Sequence, residues 1–79
     1  MVHNSKTRKE NQQEILLKIG KKVKFYREQK GLSQYDLAID AKITENQIGR
    51  IERAEINTSI LALYSIAKAL KINVKDLLA

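Results

Sequence analysis

The chain has 79 residues and among them no cysteine, no proline and no tryptophan. The lack of cysteine excludes a disulfide framework and a thiolate zinc site, so an apolar core alone must hold the fold. Histidine is nearly absent as well. His3, in a polar stretch, supplies neither a metal cluster nor a triad. No apolar run approaches the roughly 18 to 20 residues needed to cross a bilayer, and no signal-peptide pattern opens the chain. A soluble, cytoplasmic domain is the expectation. No nucleophile–base set or phosphate-cradling glycine loop is present, and a chain this short has little room for both a core and a buried catalytic pocket. An enzyme is not expected, nor a metal, a cofactor or a small-molecule effector.

Acidic residues are also scarce. Nine Asp and Glu stand against fifteen Lys and Arg, a net charge of +6. Such a balance favours a polyanionic partner, nucleic acid or an acidic membrane surface. The excess is confined to one end: residues 1–30 hold nine basic residues and three acids, whereas residues 31–79 hold six of each. Long-range attraction to DNA must come from the N-terminal third, and the remainder must bind through oriented contacts.

Residues 1–10 are polar and without apolar periodicity, a flexible basic arm in which Lys6, Arg8 and Lys9 either follow DNA or only solubilise the chain. Residues 11–79 form a single domain. From Gln12 to Lys30 the residues Ile15, Leu16, Ile19, Val23 and Tyr26 recur at three- and four-residue steps, which predicts a helix with one buried stripe and a lysine-rich outer face. Gly31 ends it as a C′ glycine. Ser33, with Asp36 three residues on, starts a second short helix reaching about Ala41. Thr44 and Gln47 form a capping box for a third, from Glu45 to about Arg53. After a polar turn at Glu55 to Ser59, Ile60, Leu63, Ile66, Ala67 and Leu70 stripe a fourth helix. Asn73 caps a last one carrying Val74, Leu77 and Leu78. The fold class is all-α: a compact bundle of five helices joined by short turns.

The functional signal lies in helices two and three. Each is N-capped, and the turn between them is too tight for antiparallel packing, so the second must project at the surface. Ala38 is small where the two would touch, and Leu37, Ile43, Ile48 and Ile51 supply the packing. Glu45, Asn46, Gly49 and Arg50 then share the outward face. Asn pairs bidentately with adenine, Arg with guanine, and Glu accepts from the cytosine amino group. Gly49 has no side chain to hold the helix away from a groove wall. The plain alternative is an ordinary solvated helix surface with a tolerated glycine.

Ile19-Gly20, Arg27, Lys30-Gly31-Leu32-Ser33-Gln34 and Leu37-Ala38 are followed by Ile48, Arg50-Ile51-Glu52-Arg53 and Ile66-Ala67-Lys68-Ala69-Leu70. In this order and spacing they make residues 19–78 resemble the Cro/CI-type, xenobiotic-response-element helix-turn-helix domain of phage repressors and related regulators. The resemblance implies a lambda-repressor-like fold, with helices two and three as the helix-turn-helix, and dimeric binding of a palindromic double-stranded DNA operator. It implies that Gln34 contacts phosphate and braces Glu45. Glu45, Asn46 and Arg50 would read bases, and Arg27 and Glu52 would form a buried pair tying helix one to the end of helix three. Gln47 is either a further reader or only the capping partner of Thr44. Ser33, Arg53, Asn57, Thr58 and Ser59 are candidates for the DNA backbone, although Asn57 and Thr58 serve equally well as turn caps. Members of the family usually carry glycine where this chain has Lys42 and Ala54. A left-handed conformation there costs another residue about 1 kcal/mol, so a modified turn is open at both places.

Leu61 and Tyr64 lie off the stripe of helix four, and Leu77 and Leu78 lie near the end of the chain. They exceed what a monomer of this size needs and are read as a two-fold homodimer seam, the alternative being a slightly apolar monomer surface. The leading expectation is a homodimeric, sequence-specific transcriptional regulator, a repressor, with the restriction–modification controller type as its specific form. An antitoxin-type module that covers a toxin and autoregulates its operon is the alternative. A membrane-surface peptide built on Ile15–Tyr26 is disfavoured, because the core needs that stripe.

Overall fold

The computed structural model describes the backbone of residues 5–79 and the side chains of residues 11–79. Within them the chain forms α1 (Ser5–Gln29), α2 (Gln34–Ala41), α3 (Glu45–Glu52), α4 (Ile60–Leu70) and α5 (Lys75–Leu78), with no strand. The expected all-α order of five helices is the observed one. Helix α1 begins at Ser5 rather than near Gln12; no glycine or proline interrupts the sequence there. The remainder of the expected arm, including His3, lies outside the described residues, as do the side chains of Lys6, Arg8 and Lys9.

Capping chemistry sets the short helices. The Ser33 hydroxyl accepts from the Asp36 N–H at 2.9 Å while the Asp36 carboxylate accepts from the Ser33 N–H at 3.1 Å. Thr44 and Gln47 repeat the exchange at 3.1 and 3.0 Å. The Ser59 hydroxyl caps α4 through the Ala62 N–H. Ahead of α5, Val74 already has helical dihedrals, and Asn73 just before it accepts from the Lys75 N–H at 3.3 Å. Asn73 thus caps the last turn from one position earlier than the helix boundary suggests.

Four helix ends close in the same manner. Backbone N–H groups of Leu32, Ile43, Glu55 and Ile72 each reach the carbonyl five residues back, at 2.8 to 3.0 Å. The residue before each of these is left-handed: Gly31, Lys42, Ala54 and Lys71, with φ between 58° and 69°. Lys42 and Ala54 therefore keep the left-handed turn despite carrying a Cβ, so neither turn is modified. The helix-end hydrogen bonds outweigh a strain of about 1 kcal/mol.

Val23, Leu37, Ile48, Ile66, Leu70 and Leu77 are wholly buried and form the centre of one core. Three expectations are corrected here. Ile15 is exposed, as is every described side chain of α1 before Leu16, because α1 runs past the edge of the core there. Ile60 is exposed, since it opens α4 on the helix's outer side. Leu77 is not available to a dimer seam: α5 is a single turn that packs on α1, and Leu77 is the side chain it inserts.

Candidate nucleic-acid interface

The position of α3 is set by a junction of three helices. Gly20 of α1 comes so close to its end that a Cβ there would stand 2.6 Å from the Ile51 carbonyl oxygen. Two turns further along α1, Arg27 meets Glu52. Its Nε and Nη2 donate to the two carboxylate oxygens at 2.6 and 3.0 Å, and Nη1 donates to the Leu32 carbonyl at 2.9 Å. Both side chains are almost wholly buried, 11% and 4% exposed. The hydrogen bond to Glu52 holds the Arg27 guanidinium above its ordinary pKa, although burial pulls the other way. Gln34, at the start of α2, donates its amide Nε2 to the same Glu52 carboxylate at 3.0 Å. One carboxylate thus ties α1, α2 and α3 together. Among the described residues no buried side-chain nitrogen or oxygen lacks a partner.

Gln34 was expected to brace Glu45; its amide instead serves Glu52. The resemblance places Gln34 beside α3, but eighteen residues of separation in sequence cannot say which acid there it meets. Gln34 does border the outward face of α3. With Glu45, Asn46, Gly49 and Arg53 it lines an open depression of about 310 Å³ where the start of α2 meets α3. Glu45, Asn46, Gln47 and Arg50 are exposed, while Ile48 and Ile51 face inward. The structure therefore presents the four candidate base readers to solvent, but Gly49, expected on the same outward face, is buried, because the Arg53 side chain folds over it. Gln47 accepts from the backbone and hydroxyl of Thr44 through one oxygen, so only its amide nitrogen remains to donate to a partner.

The candidate backbone contacts divide by location. Ser33 and Ser59 are N-caps of α2 and α4, whose first backbone N–H groups open outward. Asn57 is exposed and Thr58 half-buried in the loop before α4. Arg53 lies at the depression and is held by Glu55, a residue the sequence reading passed over as part of a polar turn. Of the expected seam residues, Leu61 (75% exposed), Tyr64 (57%) and Leu78 (49%) are at the surface. Ile60 joins Leu61 and Tyr64 on the outer side of α4, since Tyr64 follows Ile60 by four residues and Leu61 by three.

Among the described residues no group of histidine and acidic side chains could hold a metal ion. No helix there is long and apolar enough to cross a membrane.

Residues 23–77 match the HTH_3 family, described as helix-turn-helix. The chain belongs to that family. As an HTH_3 protein it is a DNA-binding helix-turn-helix transcriptional regulator with a lambda-repressor-like fold, α2 and α3 being the helix-turn-helix, and not an enzyme. Among solved structures, it is similar to the restriction-modification controller protein C.AhdI from Aeromonas hydrophila. The identity is 34%, over 78% of this chain and 94% of that one, with a TM-score of 0.77. An HTH_3 family transcriptional regulator from Vibrio cholerae is 26% identical over 84% of this chain, with a TM-score of 0.80, and this chain covers 37% of it. The clp gene regulator ClgR from Corynebacterium glutamicum is 25% identical over 81% of this chain and 68% of that one, with a TM-score of 0.77. No curated protein matches the chain.

Proposed function

We propose that this HTH_3 protein is a homodimeric repressor that reads a short, roughly palindromic operator with the outward face of α3. The observation that carries the reading is the depression at the start of α2 and α3, where Glu45 and Asn46 stand exposed beside Gly49. Position 49 has no side chain, so the Arg53 guanidinium lies directly over it and joins that face. Asn46 suits adenine, Arg50 guanine and Glu45 the cytosine amino group. Gln34 and Arg53 line the depression beside α3, Ser33 caps α2, and Asn57, Thr58 and Ser59 lead into α4; these are the contacts to the DNA backbone, aided by the N–H groups that open α2 and α4. Gln47 is first a cap and contributes at most through its amide nitrogen.

The dimer seam is Leu61, Tyr64 and Leu78, with Ile60 added and Leu77 removed. Its support is a run of large apolar side chains on the outer side of α4 that the chain's own core leaves uncovered. A single half-site gives little affinity and little length of sequence, whereas two-fold pairing doubles both. The controller type is the specific form favoured by the likeness to C.AhdI, which extends over nearly the whole of that protein. Dimer concentration and operator affinity are then the control variables, and the cytoplasm is the site of action.

Selection of bound fragments from the source genome tests the reading. The expected result is a motif with two-fold symmetry. Asn46→Ala and Arg50→Ala should each relax preference at particular base pairs. Equal loss on every sequence would remove base reading from α3, and an asymmetric motif bound by monomers would remove the dimer.

A further inference from the structure

Glu55, in the loop after α3, has no task in the account above, yet two arginines of the DNA-reading region meet at its carboxylate. It accepts from Arg53 Nε at 2.8 Å and from Arg53 Nη2 at 3.3 Å, a two-pronged grip on one guanidinium. Arg50 Nε lies 3.8 Å from the same carboxylate. The grip leaves Arg53 Nη1 lying over Gly49, where a Cβ would stand 2.9 Å from it. Any side chain at 49 would push the guanidinium aside. Glycine at 49 and glutamate at 55 together place Arg53 as one wall of the depression that holds Glu45 and Asn46.

The place of the acid is itself set by the backbone. The Glu55 N–H donates to the Arg50 carbonyl at 2.8 Å across the left-handed Ala54. The hydrogen bond from Arg53 holds the carboxyl below its ordinary pKa, so it is charged at neutral pH. An exposed pair of this kind adds little to stability. Its consequence falls on binding: an arginine fork held in one geometry gives up less freedom on contact, and a carboxylate beside the groove repels any phosphate that a seated arginine does not face.

We propose that Glu55 is a specificity-determining positioning residue. It holds Arg53, and at the shared carboxylate Arg50, in the geometry that suits the operator, while its charge disfavours DNA in any other register. The inference rests on the reading of α3 as the DNA-contacting helix.

The probes are the duplex recovered by the genomic selection and a scrambled duplex of the same length. Affinities for both are measured by fluorescence anisotropy at several salt concentrations, with thermal melting alongside. Glu55→Gln should tighten the scrambled duplex and weaken the selected one, narrowing the ratio between them roughly fivefold to tenfold while the melting temperature stays put. Arg53→Lys should weaken the selected duplex in the parent protein and add little in the Glu55→Gln background. Asp40→Asn removes the same charge from the end of α2 and should move both duplexes by one factor. If Glu55→Gln behaves like Asp40→Asn, or if the Glu55 and Arg53 substitutions act independently, the positioning role is overturned while α3 keeps its function. Failure of the selection to yield any motif would overturn both together.

Discussion

Gly20 lies against Glu52 so closely that a Cβ on the glycine would stand 2.7 Å from the glutamate's carbonyl oxygen. The end of α3 is thus seated on the backbone of α1, and the Glu52 side chain is then gripped by Arg27 on the same helix. Main-chain proximity and a buried ion pair act at one residue. Orientation of α3 follows from both.

Gly20→Ala should therefore destabilise the domain even though alanine is the better helix former. Forcing a methyl into a packed contact costs about 1 to 3 kcal/mol, against a helix-propensity gain of about 1 kcal/mol. Urea denaturation should show a lowered midpoint. A raised midpoint would mean that α1 does not rest on α3.

Arg27→Ala leaves the Glu52 carboxylate buried with only Gln34 as a side-chain partner, and should cost about 3 to 5 kcal/mol. Replacing both charges together, Arg27→Met with Glu52→Leu, should recover most of that loss, because no charge is then stranded. Chemical denaturation of the two variants checks the ordering. Equal losses for the single and double variants would show that the stranded Glu52 charge is not the source of the loss.

Two left-handed positions should respond differently to glycine. Lys42 is exposed, so Lys42→Gly relieves backbone strain at little other expense and should stabilise by up to about 1 kcal/mol. Ala54 is buried, and Ala54→Gly loses a packed methyl of about 0.8 kcal/mol, so the net change should be near zero. Melting temperatures of the two variants decide; an identical gain in both would show that the Ala54 methyl contributes nothing.

Asp36 accepts a hydrogen bond from the Ser33 backbone, which holds its carboxyl below the ordinary value. A carboxyl lowered on folding stabilises above its unfolded pKa and loses that contribution as pH falls through the folded value. Between about pH 5 and pH 3 the melting temperature should accordingly drop, and Asp36→Asn should make the drop shallower. A melting curve with the same acid slope in the variant would remove the α2 cap from the titration.

Much of the architecture is legible in residue order, for reasons that act over three or four positions. Ser33 with Asp36 and Thr44 with Gln47 exchange hydrogen bonds within one turn, so the starts of α2 and α3 can be read from type and spacing. The same holds for the inward set Leu37, Ile48 and Ile51, and for the outward set Glu45, Asn46 and Arg50. Periodicity misleads at the margins. Ile15 and Ile60 keep the apolar step but lie where α1 overruns the core and where α4 begins, and repetition along one helix cannot tell where its neighbours end.

Local chemistry along the chain was enough to settle the number of helices, their caps and which side of α3 turns outward, since each depends on neighbours within a turn. Packing between distant segments settled the rest. Gln34 reaches Glu52 instead of Glu45, and Leu77 goes into the core rather than to the surface. Each of these depends on which groups several helices bring to one point, and separation along the chain carries no measure of that distance. Lys42 and Ala54 stay left-handed for a related reason: the carbonyl five residues back is already waiting for the next N–H, and that closure prevails over the preference of the residue that must bend.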